Sequence, residues 1–338
     1  MSIVLIAGGG LAGTAAAKEL AASGRNTLIA EKTDSLGGKV RAYGCKADDK
    51  CNNCGVCLTK NLWESVENND LIDIRFETTV VDLAGEKGNY TAALKKGGVI
   101  EYVPDITEVI VATGFTDPGD EWYDAFAEIH KFSGSPGSVI LGSDIERLTH
   151  ERNENGFFKK APGSVAFIQC FGSRDKKENA MYCSRVCCSY SSRAAKLIKK
   201  YYPECDITFF YMEMQQVKGG NYFDELKQLG VNFIKCRPVK VTAGKKASVA
   251  FDDPKTGKRE ALDFDIVVLS DGIHPNDDSG KTAEICGLGQ SEAGFLKYVT
   301  DINDTNHTGI YITGCAKGPS KIEEVYADSI AVARRILF

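Results

Sequence analysis

Eight of the twelve cysteines in this chain of 338 residues lie in two tight groups. Cys170, Cys183, Cys187 and Cys188 follow the spacing C-x12-C-x3-C-C. Four thiolates gathered from a strand end, a loop and a helix start can surround one soft metal centre. An iron–sulfur cluster takes four thiolates at its corners, and a helix N-terminus offsets their negative charge. The adjacent Cys187 and Cys188 suit a bulky [4Fe–4S] cluster better than a single zinc ion, whose usual pattern is paired C-x2-C. Cys45, Cys51, Cys54 and Cys57 form the second group, C-x5-C-x2-C-x2-C. The last three have ferredoxin spacing, which lets one loop wrap three corners of a cluster, with Cys45 a candidate fourth. Zinc suits this loop as well, so both metals stay open there. Cys205, Cys236 and Cys286 stand alone and read as core thiols.

The elements that must position these thiols read as two α/β units. Ser2–Ala7 is a short apolar strand, Gly8–Gly10 a break, and Leu11–Ser23 an Ala-rich helix that Gly24 can end. Asn26–Ala30 is the next strand and leads into Glu31. Residues 44–60 read as an irregular loop, Asp73–Leu83 and Tyr90–Lys95 as strands, and Val109–Ala112 as a buried strand. The turn cluster Gly134–Ser138 is a plausible linker. Beyond it a strand (Ser164–Gln169), a helix (Ser189–Tyr202), a strand (Asp206–Tyr211), a helix (Tyr222–Leu229) and strands at Val231–Ile234 and Val267–Leu269 form the second unit. A strand at Gly309–Thr313 and a helix over Ser320–Leu337 close the chain; the helix repeats Ile322, Val325, Tyr326, Ile330, Ala333 and Ile336 at a 3.6-residue spacing.

Gly8, Gly10 and Gly13 match G-x-G-x-x-G between the first strand and helix, and Glu31 follows Gly13 by 18 residues at the end of the second strand. Each part has a physical task. Gly8 makes the tight turn, Gly10 lets the backbone approach a pyrophosphate, and Gly13 lets helix and sheet pack closely. The pyrophosphate sits on the helix N-terminus, and Glu31 can accept from ribose hydroxyls. In the second unit the strand Ser164–Gln169 runs instead into Cys170-Phe171-Gly172-Ser173-Arg174-Asp175. One glycine stands where three are needed, so no nicotinamide nucleotide is expected there.

Composition excludes several classes. A hydrophobic fraction of 43% with 26% charged residues is ordinary globular composition, enough for about two domains at roughly 150 residues each. The net charge of −5 and the lack of a basic stripe argue against a nucleic-acid partner. No apolar run reaches the roughly 18–20 residues that span a bilayer, so no membrane insertion is expected. The apolar start lacks a basic n-region and reads as folded structure rather than a signal peptide, which makes a cytoplasmic chain with reduced thiols the expectation. His130, His150, His274 and His307 form no cluster, and no Ser/His/Asp or Cys/His nucleophile constellation stands out.

Further segments carry a resemblance. Leu36-Gly37-Gly38 soon after Glu31, Val109–Gly114 (VIVATG) and Ile310–Cys315 (IYITGC) resemble the flavin-facing segments of the two-dinucleotide flavoproteins, the fold shared with thioredoxin reductase. Ile168–Asp175 (IQCFGSRD), Tyr182–Cys188 (YCSRVCC), Phe210–Met212 (FYM) and Gly314–Pro319 (GCAKGP) resemble HdrA, the flavin-containing component of heterodisulfide reductase. The resemblance implies an α/β, thioredoxin-reductase-like fold with Rossmann-like domains, the second modified to carry an iron–sulfur cluster. An FAD domain over 1–136 and 272–338 would enclose an inserted domain over 137–271. FAD would lie against Gly8, Gly10, Gly13, Glu31, Gly37, Gly38, Ala112, Thr113, Gly114, Gly314 and Cys315, where Cys315 replaces the usual Asp; Lys32 and Val81 complete that set. Long members of the family add further cluster modules, so a short core-only member is implied, as in sulfur-metabolism complexes. The implied role is an electron relay between proteins similar to heterodisulfide reductase B and C and another carrier, with a homodimer left open. The rival is a self-sufficient NAD(P)H-dependent disulfide reductase using a cysteine pair such as Cys51 and Cys54.

Overall fold

The computed structural model describes residues 2–116, 137–176, 180–215, 221–297 and 308–337. Residues 134–136 of the expected linker, the 136/137 boundary, His130 and His307 lie outside them. The chain divides into two compact units. The first holds residues 1–41, 55–116 and 274–338; the second holds 42–54 and 117–273. The sequence alone assigns residues 42–54 to the first unit. They pack instead in the second, because Lys46 and Asn52 are buried there among its charged side chains.

In the first unit, β1 (Ile3–Ala7), α1 (Leu11–Ala22) and β2 (Asn26–Ala30) form a βαβ start, then α2 (Leu62–Glu67), β3 (Ile72–Arg75), β4 (Thr78–Glu86), β5 (Asn89–Lys96), β6 (Val99–Val111) and β7 (Phe115–Thr116) follow. β1 is apolar throughout and β2 from Leu28 onward, and both are buried beyond their first residue, because both faces of a parallel strand are covered. β6 is longer than its apolar end predicts. Its first half pairs antiparallel with β5, and its buried end, Val109–Val111, lies parallel to β1. Nine of the twelve residues of α1 are buried, which its small alanines allow.

The second unit contains β8 (Val139–Leu141), α3 (Gly142–His150), β9 (Ser164–Phe171), α4 (Cys187–Tyr201), β10 (Asp206–Phe210), α5 (Tyr222–Gln228), β11 (Asn232–Ile234), a meander of β12 (Lys240–Thr242), β13 (Ala247–Asp252) and β14 (Arg259–Phe264), and β15 (Ile266–Asp271). Its parallel sheet has the order β11-β10-β9-β15-β8. Phe167, Phe209, Leu197 and Ile198 build the core on one face; Val249, Phe251 and Phe264 of the meander cover the other.

The chain then returns to the first unit as β16 (His274–Pro275), α6 (Ser279–Ile285), β17 (Gly289–Gln290), β18 (Leu296–Lys297), β19 (Ile310–Ile312) and α7 (Ile322–Leu337). β19 pairs parallel with the end of β6. Of the apolar row expected along α7 only Val325 and Ala333 are fully buried, with Ser329 between them; the other four residues are half-buried. Ser329 is tolerated there because its hydroxyl donates to the Val325 carbonyl at 2.8 Å.

Candidate flavin cradle and thiol pocket

The order β3-β2-β1-β6 reverses direction at β1, and ligands of open α/β sheets bind at the carboxyl ends of the strands beside such a reversal. Gly8 leaves β1 there with φ +108°, a conformation that favours glycine, and a Cβ on it would lie 2.5 Å from the Ala112 carbonyl oxygen. Gly13 faces back onto the same turn, where a Cβ would collide with the Gly8 carbonyl oxygen. Gly10, at the start of α1, differs: no atom lies within 4 Å of the place its Cβ would take. The helix N-terminus is therefore open to a ligand on that side. The Gly37 N–H donates to the Gly9 carbonyl at 2.9 Å, laying the second glycine pair against the first.

Glu31 is buried, and its oxygens already have protein donors. Oε2 accepts the Gly9 N–H at 2.6 Å, and Oε1 accepts the Thr33 N–H and hydroxyl, each at 2.8 Å. The Thr113 hydroxyl is buried without a hydrogen-bond partner among the described residues, while the Thr113 carbonyl accepts from Asn276 at 2.9 Å. Asp328 of α7 accepts the Gly314 N–H at 3.1 Å and the Thr313 hydroxyl at 2.8 Å. Cys315 is buried, and its thiol is pushed up to about 11 by that burial. Lys32 is exposed, and Val81 sits half-buried at the irregular point of the β4–β5 ladder. Open space over Gly10, at a helix N-terminus flanked by two glycine turns, fits a bound dinucleotide. Sequence reasoning missed Thr33, Asn276 and Asp328; an acid beside the buried row of α7 was the one signal for Asp328.

The second unit also reverses strand order, at β9, with β10 on one side and β15 on the other. Cys170 stands at the carboxyl end of β9 with φ +62°; Arg174 and Arg185 also have positive φ. Left-handed conformations at non-glycine residues cost energy and concentrate where a site needs them. Cys170, Cys187 and Cys188 form one buried group, with Tyr190, Met212 and Met214 packed against it. The hydrogen bond with the Cys187 thiol, aided by Arg174 and opposed by burial, brings Cys170 down to about 7. Cys187 is pushed well above the ordinary thiol range, first by its hydrogen bonds to Cys170 and Cys188, then by burial. Cys188 is lowered, chiefly by its hydrogen bond with Cys187. Cys183 is half-buried and accepts the Arg185 N–H at 3.4 Å, and the charge on Arg174 acts on both Cys170 and Cys183.

Two residues close to Cys170 in the chain carry buried polar atoms without a partner among the described residues. The Ser173 hydroxyl is fully buried without a partner, as is Oε1 of Gln169, whose Nε2 donates to Ser270 at 3.0 Å. Among the described residues, no group of three or more His, Cys, Asp or Glu side chains is arranged to hold a metal ion. The donor set is nonetheless the soft, all-thiol kind that iron–sulfur clusters use. In the second cysteine group, Cys45 and Cys51 are exposed and Cys54 half-buried in the second unit, while Cys57 is exposed in a short turn, Val56–Thr59, of the first.

A family model described as FAD dependent oxidoreductase matches residues 4–85, which carry the glycine turn and Glu31. Thioredoxin reductase from T. acidophilum superposes with a TM-score of 0.67 at 18% identity, covering 98% of this chain and 96% of that one. Fold and glycine turn together define an FAD-dependent oxidoreductase of the two-dinucleotide, thioredoxin-reductase-like class. The HdrA component of the H(2):CoB-CoM heterodisulfide,ferredoxin reductase of Methanothermobacter thermautotrophicus is 32% identical over 247 residues, 68% of this chain and 36% of the relative. Its counterpart in Methanothermobacter marburgensis is 26% identical across 98% of this chain and 63% of the relative. The chain belongs to the HdrA family of heterodisulfide reductase components, and it spans 36% to 63% of the length of these two relatives. Among the described residues no helix is long and apolar enough to cross a membrane.

Proposed function

We propose that this chain is an FAD- and iron–sulfur-containing electron-transfer component of a heterodisulfide-reductase-like complex. Cys170, Cys183, Cys187 and Cys188 would hold a [4Fe–4S] cluster. Cys45, Cys51, Cys54 and Cys57 would hold a second thiolate centre, of iron–sulfur or zinc. Gly8, Gly10, Gly13, Gly37, Gly38, Ala112, Thr113, Gly114 and Gly314 would cradle FAD within the chain's first and last thirds. FAD exchanges electrons singly or in pairs and clusters exchange them singly, so their combination joins two-electron to one-electron chemistry. The chain's own part is to bind and orient these groups. Disulfide or sulfur-carrier chemistry would take place on partner proteins similar to heterodisulfide reductase B and C, in the cytoplasm.

One observation carries this reading. At the strand reversal of the second unit, where a second dinucleotide would need a glycine cradle, the end of β9 and the start of α4 bring Cys170, Cys187 and Cys188 into one buried group instead. The thioredoxin-reductase-like fold favours the rival, a self-sufficient NAD(P)H-dependent disulfide reductase. Mixing the anaerobic holoprotein with NADH or NADPH and following flavin absorbance separates the two. A flavin that stays oxidised with either nucleotide, yet bleaches with a low-potential one-electron donor, agrees with the relay. Rapid stoichiometric bleaching by a nucleotide overturns it.

A further inference from the structure

The loop carrying Cys45, Cys51 and Cys54 is open at its cysteines and buried at residues between them. Lys46 is 1% exposed; its ammonium donates to the Gly44 carbonyl at 2.7 Å and pairs with Glu146 of α3 at 2.6 Å. Asn52, between Cys51 and Cys54, is 3% exposed, with both ends of its side-chain amide engaged. Its Nδ2 donates to the Lys46 carbonyl and its Oδ1 accepts from Lys196, each at 2.7 Å. Its backbone carbonyl accepts both Arg193 Nε and the Tyr222 hydroxyl at 2.7 Å. Arg193 spans to the next carbonyl too, donating from Nη2 to Asn53 at 2.7 Å. Two long cations of α4 and the phenol of α5 thus hold Asn52 and the peptide that follows it.

The grip bears on the sulfurs. The Asn53 N–H donates to Cys51 Sγ at 3.4 Å, and the Ala47 N–H to Cys45 Sγ at 3.5 Å. Each amide lies two residues after its cysteine, and such N–H to sulfur hydrogen bonds orient the sulfur and tune the centre that it ligates. The same α4 supplies Cys187 and Cys188 in its first turn. Arg193 follows Cys188 by five residues, about 7.5 Å along the axis at roughly 1.5 Å per residue.

We infer that Asn52, Arg193 and Lys196 are positioning residues that preset the Cys45–Cys54 loop for a thiophilic metal before any metal arrives, so that one helix, α4, orders both thiol groups. The inference rests on reading this loop as a metal centre. Preorganisation raises affinity because the ordering cost is met during folding rather than at binding.

The test uses the full-length flavoprotein, first stripped of metal by a chelator, then titrated with zinc against a competing chelator or, anaerobically, with iron and sulfide. Asn52→Leu and Arg193→Met should weaken loop binding at least tenfold, while FAD content and the iron held by the Cys170 group, both measured on the protein as purified before stripping, stay unchanged. Arg193→Lys, which can still reach one carbonyl, should recover part of the loss. Equal affinity in Asn52→Leu and the parent overturns the inference. Should that variant fail to fold, hydrogen exchange on the stripped parent decides: Asn53 and Cys54 amides that stay protected support a preset loop, and protection that vanishes with the metal overturns it. Cys51→Ser tests the underlying reading separately. Metal binding that survives Cys51→Ser removes the metal centre itself, whereas loss in Cys51→Ser without loss in Asn52→Leu removes only the positioning.

Discussion

Glu31 Oε2 accepts the Gly9 N–H at 2.6 Å, so the end of the second strand braces the turn that leaves the first. The carboxylate is also held by Thr33 through Oε1. A charge-assisted hydrogen bond contributes roughly 1.5–3 kcal/mol, or about tenfold to a hundredfold in an equilibrium. Glu31→Ala should therefore weaken FAD binding by about that factor even where the protein folds. Gly10→Val, which fills the open space over the helix N-terminus without touching the brace, should also lower flavin content. Flavin retained per chain after dilution and gel filtration measures both.

Cys187→Ser removes the thiol that touches both Cys170 and Cys188. Iron and labile sulfide should fall by the content of one cluster, and the broad iron–sulfur absorbance should bleach, with flavin retained. Metal analysis of anaerobically purified variant and parent provides the comparison. Iron unchanged in the variant would exclude the four-cysteine set.

The solitary thiols should behave unlike the grouped ones. Burial pushes Cys205, Cys236, Cys286 and Cys315 up to about 11, so at neutral pH almost none of each is thiolate, the nucleophilic form. Alkylation of the native, metal-stripped protein at pH 7 should mark the exposed Cys45, Cys51 and Cys57 first. The four solitary thiols should react only as the pH climbs toward their raised values or the protein unfolds. Mass spectrometry of the peptides after a short pulse reads the order directly.

Lys46→Met should show how far the buried Lys46–Glu146 pair supports the second unit. Removing one partner of a buried pair costs roughly 3–5 kcal/mol, because the other charge is left without compensation. Burial raises the Glu146 carboxyl above its ordinary value, and Lys46 opposes that rise. Without Lys46 the folded state favours the protonated acid, whereas the unfolded chain titrates normally. An acid with a raised folded value loses stability as pH rises past its unfolded value. The variant's deficit against the parent should accordingly be largest near neutrality and shrink on acidification, as denaturant melts across pH would record.

Strongly periodic or fully apolar segments were legible in the sequence. Asn26–Ala30 is a strand with the expected bounds, and α1, β10 and α5 fall within a residue of theirs. The exposed first half of β6 was not, because Val99, Ile100 and Tyr102 are large apolar residues on a solvent face and give no alternation. The β12–β14 meander and α6 were missed for a similar reason: short elements carry too few positions for a period. The sites were half legible. Glycines and cysteines announce themselves by type and spacing, but Asp328, Thr33 and Asn52 act through hydrogen bonds to residues scattered along the chain, which leave no pattern. Least visible was the transfer of residues 42–54 to the second unit, since their partners Glu146, Arg193 and Lys196 lie about a hundred or more positions later.

That sequence separation has a consequence for biosynthesis. Asn52 and Arg193 are 141 residues apart. At roughly 5–20 residues per second, a translating ribosome delivers Arg193 about 7–28 s after Asn52. During that interval the nascent chain has no α4 to dock its cysteine loop, and Cys45, Cys51 and Cys54 hang from an unfinished polypeptide. Oxidants would find these thiols most vulnerable on the ribosome, and a cell that makes this protein in air should accumulate sulfenic acids and mispaired disulfides at these positions in young chains before old ones.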